Sequence, residues 1–171
     1  MARRGIQLLC GTRVLEAQAG ELWVADDKSD RRRLDCDLAL WATGPAAHDF
    51  LRASGLPCDE RGFVRVRSTF QVEGFDELFA VGDCAHLVAH PWVPRAGVYA
   101  VRSGPVLHRN LRAYFAGKSL RAYRPQRDFL ALINLGDGRA LGSKWGLAFE
   151  GRAVWRLKDW IDRRFMRRFQ V

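Results

Sequence analysis

The chain has 171 residues, a net charge of +9 and 48% hydrophobic residues, enough for one or two modest cores. No apolar run reaches the roughly 18 residues that would mark a transmembrane helix, and the N-terminus lacks the apolar segment of a signal peptide. Cys10, Cys36, Cys58 and Cys84 are spread out, without a Cys-x-x-Cys pair or a zinc-ligand rhythm, a pattern expected of reduced thiols in a cytoplasmic protein.

Ile6 to Cys10 reads as a short strand. Thr12 to Ala17 and Leu22 to Ala25 read as two more, joined by a turn at Gly20. Asp26 to Arg33 is a polar, mixed-charge loop, with Arg31-Arg32-Arg33 at a solvated tip. Leu34 to Trp41 is the next strand, ending in the turn Ala42-Thr43-Gly44-Pro45. Ala46 to Ser54 forms a short helix stopped by Gly55 and Pro57. Asp59-Glu60-Arg61-Gly62 then turns into the strand Phe63 to Val66.

Leu78-Phe79-Ala80-Val81 reads as a short buried strand, ended by Gly82-Asp83. Two readings of that dipeptide stand side by side. In one it is a turn capped by an acid. In the other, Gly82 lets the backbone approach a ligand closely, and Asp83 accepts hydrogen bonds from sugar or polyol hydroxyls. His86 and His90 follow in a loop with no third ligand, and read as solvated or packing residues rather than a metal site. Cys84 reads as a small buried hydrophobe rather than a redox thiol.

A helix runs from Gly97 towards Phe115 and ends at Gly117; Pro105 inside it implies a kink, or a restart near Gly104. Phe129 to Leu135 and Arg139 to Ser143 form a hairpin about Gly136-Asp137-Gly138, followed by a strand from Trp145 to Phe149. Arg152 to Phe169 is an amphipathic helix, with Val154, Leu157, Ile161, Phe165 and Phe169 on one stripe. That stripe either packs on the hairpin sheet, burying Ile161 and Phe165, or lies on an anionic bilayer; packing is the expectation.

The order Ala42-Thr43-Gly44, Gly62-Phe63-Val64, Phe79-Ala80-Val81-Gly82-Asp83, then Pro94-Arg95-Ala96-Gly97 before a helix resembles the second half of FAD-dependent pyridine nucleotide oxidoreductases. Within them it is most similar to the type II NADH dehydrogenase branch. The tail, Tyr123-Arg124-Pro125-Gln126-Arg127 through Arg167-Arg168-Phe169, resembles the oxidoreductase domain fused to selenide, water dikinase. The Gly-x-Gly-x-x-Gly fingerprint of that superfamily appears nowhere in the chain, so the expectation is the C-terminal portion of a longer flavoprotein. The resemblance implies an α/β chain: a partial FAD/NAD(P)-binding fold with mixed sheets, then a small α+β C-terminal unit ending in the amphipathic helix. Residues 1–44 would end the NAD(P)-binding unit, 45–117 return to the FAD-binding domain, and 118–171 form the hairpin-plus-helix unit.

By the same resemblance the cofactors of the complete protein are FAD and NAD(P)H. Asp83 would hold the ribityl chain, Gly82 would permit close approach, and Thr43-Gly44 would cross back beside the flavin or nicotinamide. The helix start at Ala96-Gly97 would aim free N–H groups and a positive dipole end at the flavin. Arg31 to Arg33 would be a grip on the extra phosphate of NADPH only if they lay near the nucleotide. Hydride would pass from NAD(P)H through FAD to a quinone, thiol or selenium acceptor, with no residue here assigned as general acid or base.

Charge divides unevenly. Residues 1–94 hold 11 Lys and Arg against 14 Asp and Glu, whereas residues 95–171 hold 17 against 5. The basic back half suits an anionic partner: the N-terminal FAD/NAD(P)-binding half of the parent, a fused or partner selenide, water dikinase domain, or a membrane surface reached from the cytoplasm. Nucleic acid ranks last, because no RNA-binding motif accompanies the arginines. The rival reading is a non-catalytic basic module that docks on an acidic partner domain or a membrane.

Overall fold

The computed structural model describes residues 5–28 and 30–168, and the chain divides into two compact units, 1–44 and 45–171. The first unit is an antiparallel sheet ordered β1 (Arg13–Gln18), β2 (Glu21–Ala25), β3 (Arg31–Asp35). Gly20, at φ +84°, turns β1 into β2. The arginines expected at a loop tip are instead strand residues. Arg31 donates to Glu16 at 3.1 Å and lies 4.6 Å over the Trp23 ring, and Arg33 donates to Glu21 at 3.3 Å. Such cross-strand pairs favour the ladder that their own repulsion would oppose.

The strand expected from Ile6 to Cys10 joins no ladder, and of that expected from Leu34 to Trp41 only Leu34 and Asp35 do so, as the end of β3. Ile6, Leu8, Leu38, Leu40 and Trp41 stand in solvent, from 51% exposed at Ile6 to 84% at Leu40. A continuous apolar run becomes a strand when neighbours cover both its faces, and the three polar-edged strands of this unit do not cover these.

In the second unit, α1 (Asp49–Ala53) leads to β4 (Val64–Val66), which pairs in parallel with β5 (Ala85–Leu87). Leu51, Val64, Val66, Phe70, Val72 and Tyr123 form the buried core. Leu78 to Val81 is not the expected strand. Gly74, at φ +82°, folds the segment back on residues 70–72, where Val72 N–H donates to the Leu78 carbonyl and Ala80 N–H to that of Phe70. The left-handed turn at Gly82 (φ +76°) stops further extension, so the paired strand β5 follows the Gly-Asp dipeptide rather than preceding it.

Helix α2 (Gly97–Phe115) runs unbroken through Pro105 and closes before Gly117 at φ +64°. Its fully buried Asn110 is the clamp of this unit. The side-chain amide donates to the carbonyls of Thr69 and Arg121, each at 2.9 Å, and the side-chain oxygen accepts from Arg121 N–H at 2.8 Å. Tyr123 N–H then donates to the Ser68 carbonyl at 2.7 Å, which seats the Tyr123 ring 5.1 Å from that of Phe70.

The antiparallel sheet β6 (Ala131–Asn134), β7 (Ala140–Lys144), β8 (Leu147–Gly151) closes the chain under α3 (Arg152–Met166). Gly136 and Gly138 are both left-handed, as the Asp-Gly turn requires. Trp145, expected in a strand, is instead in the second turn with Gly146, at φ +53° and +74°, a primed two-residue loop. On α3, Val154, Trp155 and Ile161 are half-buried, while Leu157, Trp160, Phe165 and Met166 are exposed. Phe165, at 36%, is therefore not the buried anchor expected, and Phe169 lies outside the described residues.

Asn110→Ala removes the partner of three part-buried backbone groups. The expected cost is about 3 kcal/mol, the low end for several unsatisfied groups, read as a lower urea midpoint at unchanged slope.

Candidate functional site

One pocket of the second unit is lined by three of the six expected site residues, Gly82, Asp83 and Ala96, and Gly97 follows directly in the chain. The pocket lies between the Gly82–Cys84 3-10 turn and the start of α2, with Asp83 and Ala96 in its wall. Gly82 is required by its left-handed backbone rather than by crowding, since a Cβ there would meet Ala100 at an ordinary 3.7 Å. The turn presents Asp83 exposed at the rim. Across from it, Ala96 caps α2 without a side-chain hydrogen bond, and no acid lies in the first turn. The N–H groups of that turn are therefore not consumed by a capping side chain, and the positive end of a 19-residue helix is not neutralised. A Cβ on Gly97 would meet nothing within 4 Å, so its backbone is open to an approaching group.

Beside this turn sits a charged cluster that the sequence did not disclose. Asp59 accepts from the N–H groups of Arg61 and Phe63 through one carboxylate oxygen, and pairs through the other with His86 Nδ1 at 3.1 Å. Arg95 stands 3.6 Å from that second oxygen, too long for a hydrogen bond. Its guanidinium carbon Cζ lies over Phe63, 3.3 Å from the ring centroid, with the side chain only 13% exposed. Arg95 Nε and Nη2 are buried without a hydrogen-bond partner among the described residues. Burial pushes its pKa below the ordinary arginine value; Asp59 opposes this, Arg61 adds to it and Asp83 opposes it. The group stays cationic.

The hydroxyl of Tyr123, which lines the same pocket, is likewise buried and without a partner. Burial raises its pKa, Arg102 lowers it and Tyr99 raises it. Tyr99 reaches past it to donate to the Gln126 carbonyl at 3.1 Å.

Gly82, Asp83, Ala96 and Gly97 are thus drawn to one place from two separate stretches of chain. Thr43 and Gly44 lie exposed in the irregular end of the first unit. Arg31 and Arg33 are engaged with Glu16 and Glu21. His86 is half-buried on β5, its Nδ1 against Asp59, and Cys84 is exposed beside the turn rather than the buried hydrophobe expected. No cluster of metal-binding side chains occurs among the described residues, and no described helix is long and apolar enough to cross a membrane. Arg95 and Tyr123 were missed because their signal, a donor buried without an acceptor, exists only in three dimensions.

The family is given by comparison with known proteins. The chain belongs to the pyridine nucleotide-disulphide oxidoreductase family, whose profile matches residues 1–105. It is 27% identical to ferroptosis suppressor protein 1 of Xenopus laevis over 95% of this chain and 46% of that protein. It is 29% identical to the type II NADH:quinone oxidoreductase of Haemophilus influenzae over 81% of this chain and 31% of that protein. The sulfide:quinone oxidoreductase structure from Aquifex aeolicus superposes with a TM-score of 0.77 at 14% identity, covering 96% of this chain and 42% of that one. The chain therefore spans less than half the length of these relatives.

Tyr123 gives a test by pH. In the unfolded chain it ionises near pH ~10, and in the fold only above that. Stability linked to it is complete below about pH 10 and is lost as pH rises from there through the folded value. Melting temperatures across this range are expected to fall less for Tyr123→Phe than for the wild type. At neutral pH the variant should melt no lower, since no hydrogen bond is removed.

Proposed function

We propose that this chain forms the flavin-facing wall of an FAD-dependent NAD(P)H:quinone oxidoreductase whose other half supplies the adenosine- and nicotinamide-binding folds. The observation that carries this reading is the left-handed Gly82 turn, which presents Asp83 opposite the uncapped start of α2 within one pocket. The quinone acceptor is supported by the names of the relatives; a thiol or selenium acceptor has no such support. The resemblance of the tail to the domain fused to selenide, water dikinase supports that domain as a partner, beside the N-terminal half of the parent.

The residues fit a flavin nucleotide: the space before Gly97 is open, and unpartnered donors face the pocket. FAD, when bound, supplies the electron chemistry. Asp83 accepts hydrogen bonds from ribityl hydroxyls and fixes the chain that carries the ring. The N–H groups of Gly97 and Val98, with the dipole of α2 behind them, favour negative charge at the end of the ring they face. Thr43 and Gly44 belong to the crossing between the two folds of the parent. Nothing in this wall needs to move a proton.

Alone, the chain is expected to bind FAD weakly and to oxidise no NADH; stoichiometric FAD that survives gel filtration would overturn the division of the site between two halves. In the complete parent, Asp83→Ala removes hydrogen bonds to a charged acceptor, each worth about 1.5–3 kcal/mol. FAD affinity should fall ten- to a hundred-fold, measured by fluorescence of released flavin. Unchanged flavin content would reduce Gly82-Asp83 to a turn.

A second reading concerns α3. Leu157, Trp160, Phe165 and Met166 are exposed on a helix whose last turns carry Arg163, Arg164 and Arg167. This supports docking of its outer face on an anionic membrane surface, the half-buried residues holding the helix to its sheet. Phe165→Ala should cost far less stability than the roughly 3–5 kcal/mol of a buried phenylalanine. It should also reduce sedimentation with anionic vesicles, an attraction that weakens with salt. A large loss of stability with unchanged sedimentation would return the helix to a purely packing role.

A further inference from the structure

A buried cation is tolerated where it is paired and hydrogen-bonded. Arg95 meets neither condition fully. Its Nε and Nη2 have no hydrogen-bond partner among the described residues, and Asp59 is already engaged by His86 and two backbone amides. With Phe63 against its Cζ and only 13% of the side chain exposed, water screens its charge little. Arg95 lines the pocket one residue before Ala96, the uncapped N-cap of α2, and its charge is felt as far as Asp83. A helix end amounts to roughly half a unit of positive charge. The guanidinium adds a whole one and, unlike a lysine, does not shed it on burial. The hydroxyl of Tyr123, a residue only 6% exposed, is a second unpartnered donor in the same wall. What Arg95 and Tyr123 lack is an acceptor.

We infer that Arg95 sets the reduction potential of the flavin ring at the start of α2, its charge favouring the ring that has taken up hydride over the ring that has not. This rests on the flavin reading and goes beyond it. The oxidised ring is neutral. Hydride from NAD(P)H brings two electrons and one proton, leaves NAD(P)+ behind and gives the ring one negative charge. A fixed cation near that charge is worth more after the transfer than before it, and only such a difference shifts the equilibrium. Asp59 attracts the guanidinium without hydrogen-bonding to it, so the cation is held in place and left only partly matched. The neutral oxidised ring gains little from it, so Arg95 adds little to the binding of oxidised FAD. A raised potential favours hydride uptake and costs driving force at the next step, which suits an acceptor of high potential such as a quinone.

The test is the midpoint potential of bound FAD in the flavin-loaded protein that contains this chain, read by equilibration with redox dyes. Wild type, Arg95→Met and Arg95→Lys are compared. Arg95→Met keeps an unbranched stem over Phe63 and removes the charge, whereas Arg95→Lys keeps the charge and removes the fork. In Arg95→Met the preference for reduced over oxidised FAD is expected to fall ten- to a hundred-fold, a drop of about 30–60 mV for a two-electron couple. Its affinity for oxidised FAD should hardly change, and without FAD it should melt at or above the wild-type temperature. Arg95→Lys should retain most of the wild-type potential.

An unchanged potential in Arg95→Met, whether FAD affinity is kept or falls equally in both redox states, overturns the inference and leaves the flavin reading standing. A protein that holds no FAD overturns both. Equal drops in Arg95→Met and Arg95→Lys assign the effect to packing rather than charge, and also overturn it. Arg95→Gln is the second neutral variant: if both neutral variants melt well below the wild type without FAD, or fail to fold, Arg95 is a structural partner of Asp59 and the inference is wrong.

Discussion

The second unit depends on one amide. Asn110, on the inner face of α2, closes three hydrogen bonds to two loops that have no regular structure of their own. Thr69 lies before the left-handed Phe70 (φ +70°), and Arg121 lies before Tyr123. Both rings reach the pocket, so a single side chain 13 residues into the helix sets two of its walls. The Asn110 side chain is fully buried and its bonds are shielded in part from water, so a neutral residue suffices for a task that a surface charge would do poorly.

The same logic of satisfaction runs in reverse at the pocket. Around Asn110 every polar atom that the bonds require is matched; at Arg95 and Tyr123 matching is incomplete. Natural interiors leave few such groups, and those that persist call for an explanation. A ligand that completes them supplies one.

Much of this was legible beforehand where a local rule decides the outcome. Gly20, Gly136 and Gly138 mark turns because only a left-handed backbone reverses the chain there, and the order of Gly82-Asp83 before Ala96-Gly97 disclosed both sides of the pocket. Reading failed where the decision is tertiary. Leu78 to Val81 has strand chemistry, but the reversal at Gly74 gave it a single bridge. Residues 36–42 have it too, and lack a covered sheet. Trp145 occupies a left-handed turn position that its type disfavours, held by the neighbouring Gly146 and a hydrogen bond from its N–H to Asp128. Asn110 looked like any polar residue on a helix, and its burial became visible only with its partners.

The uncovered side chains at Ile6, Leu8, Leu38, Leu40 and Trp41 have a colloidal consequence. Apolar segments of this kind attract one another between molecules, and in dilute buffer the net charge of +9 keeps the molecules apart. Salt shortens the reach of that repulsion without weakening the apolar attraction. The chain on its own should therefore be most soluble at low ionic strength, the reverse of the salting-in on which purification of many basic proteins relies.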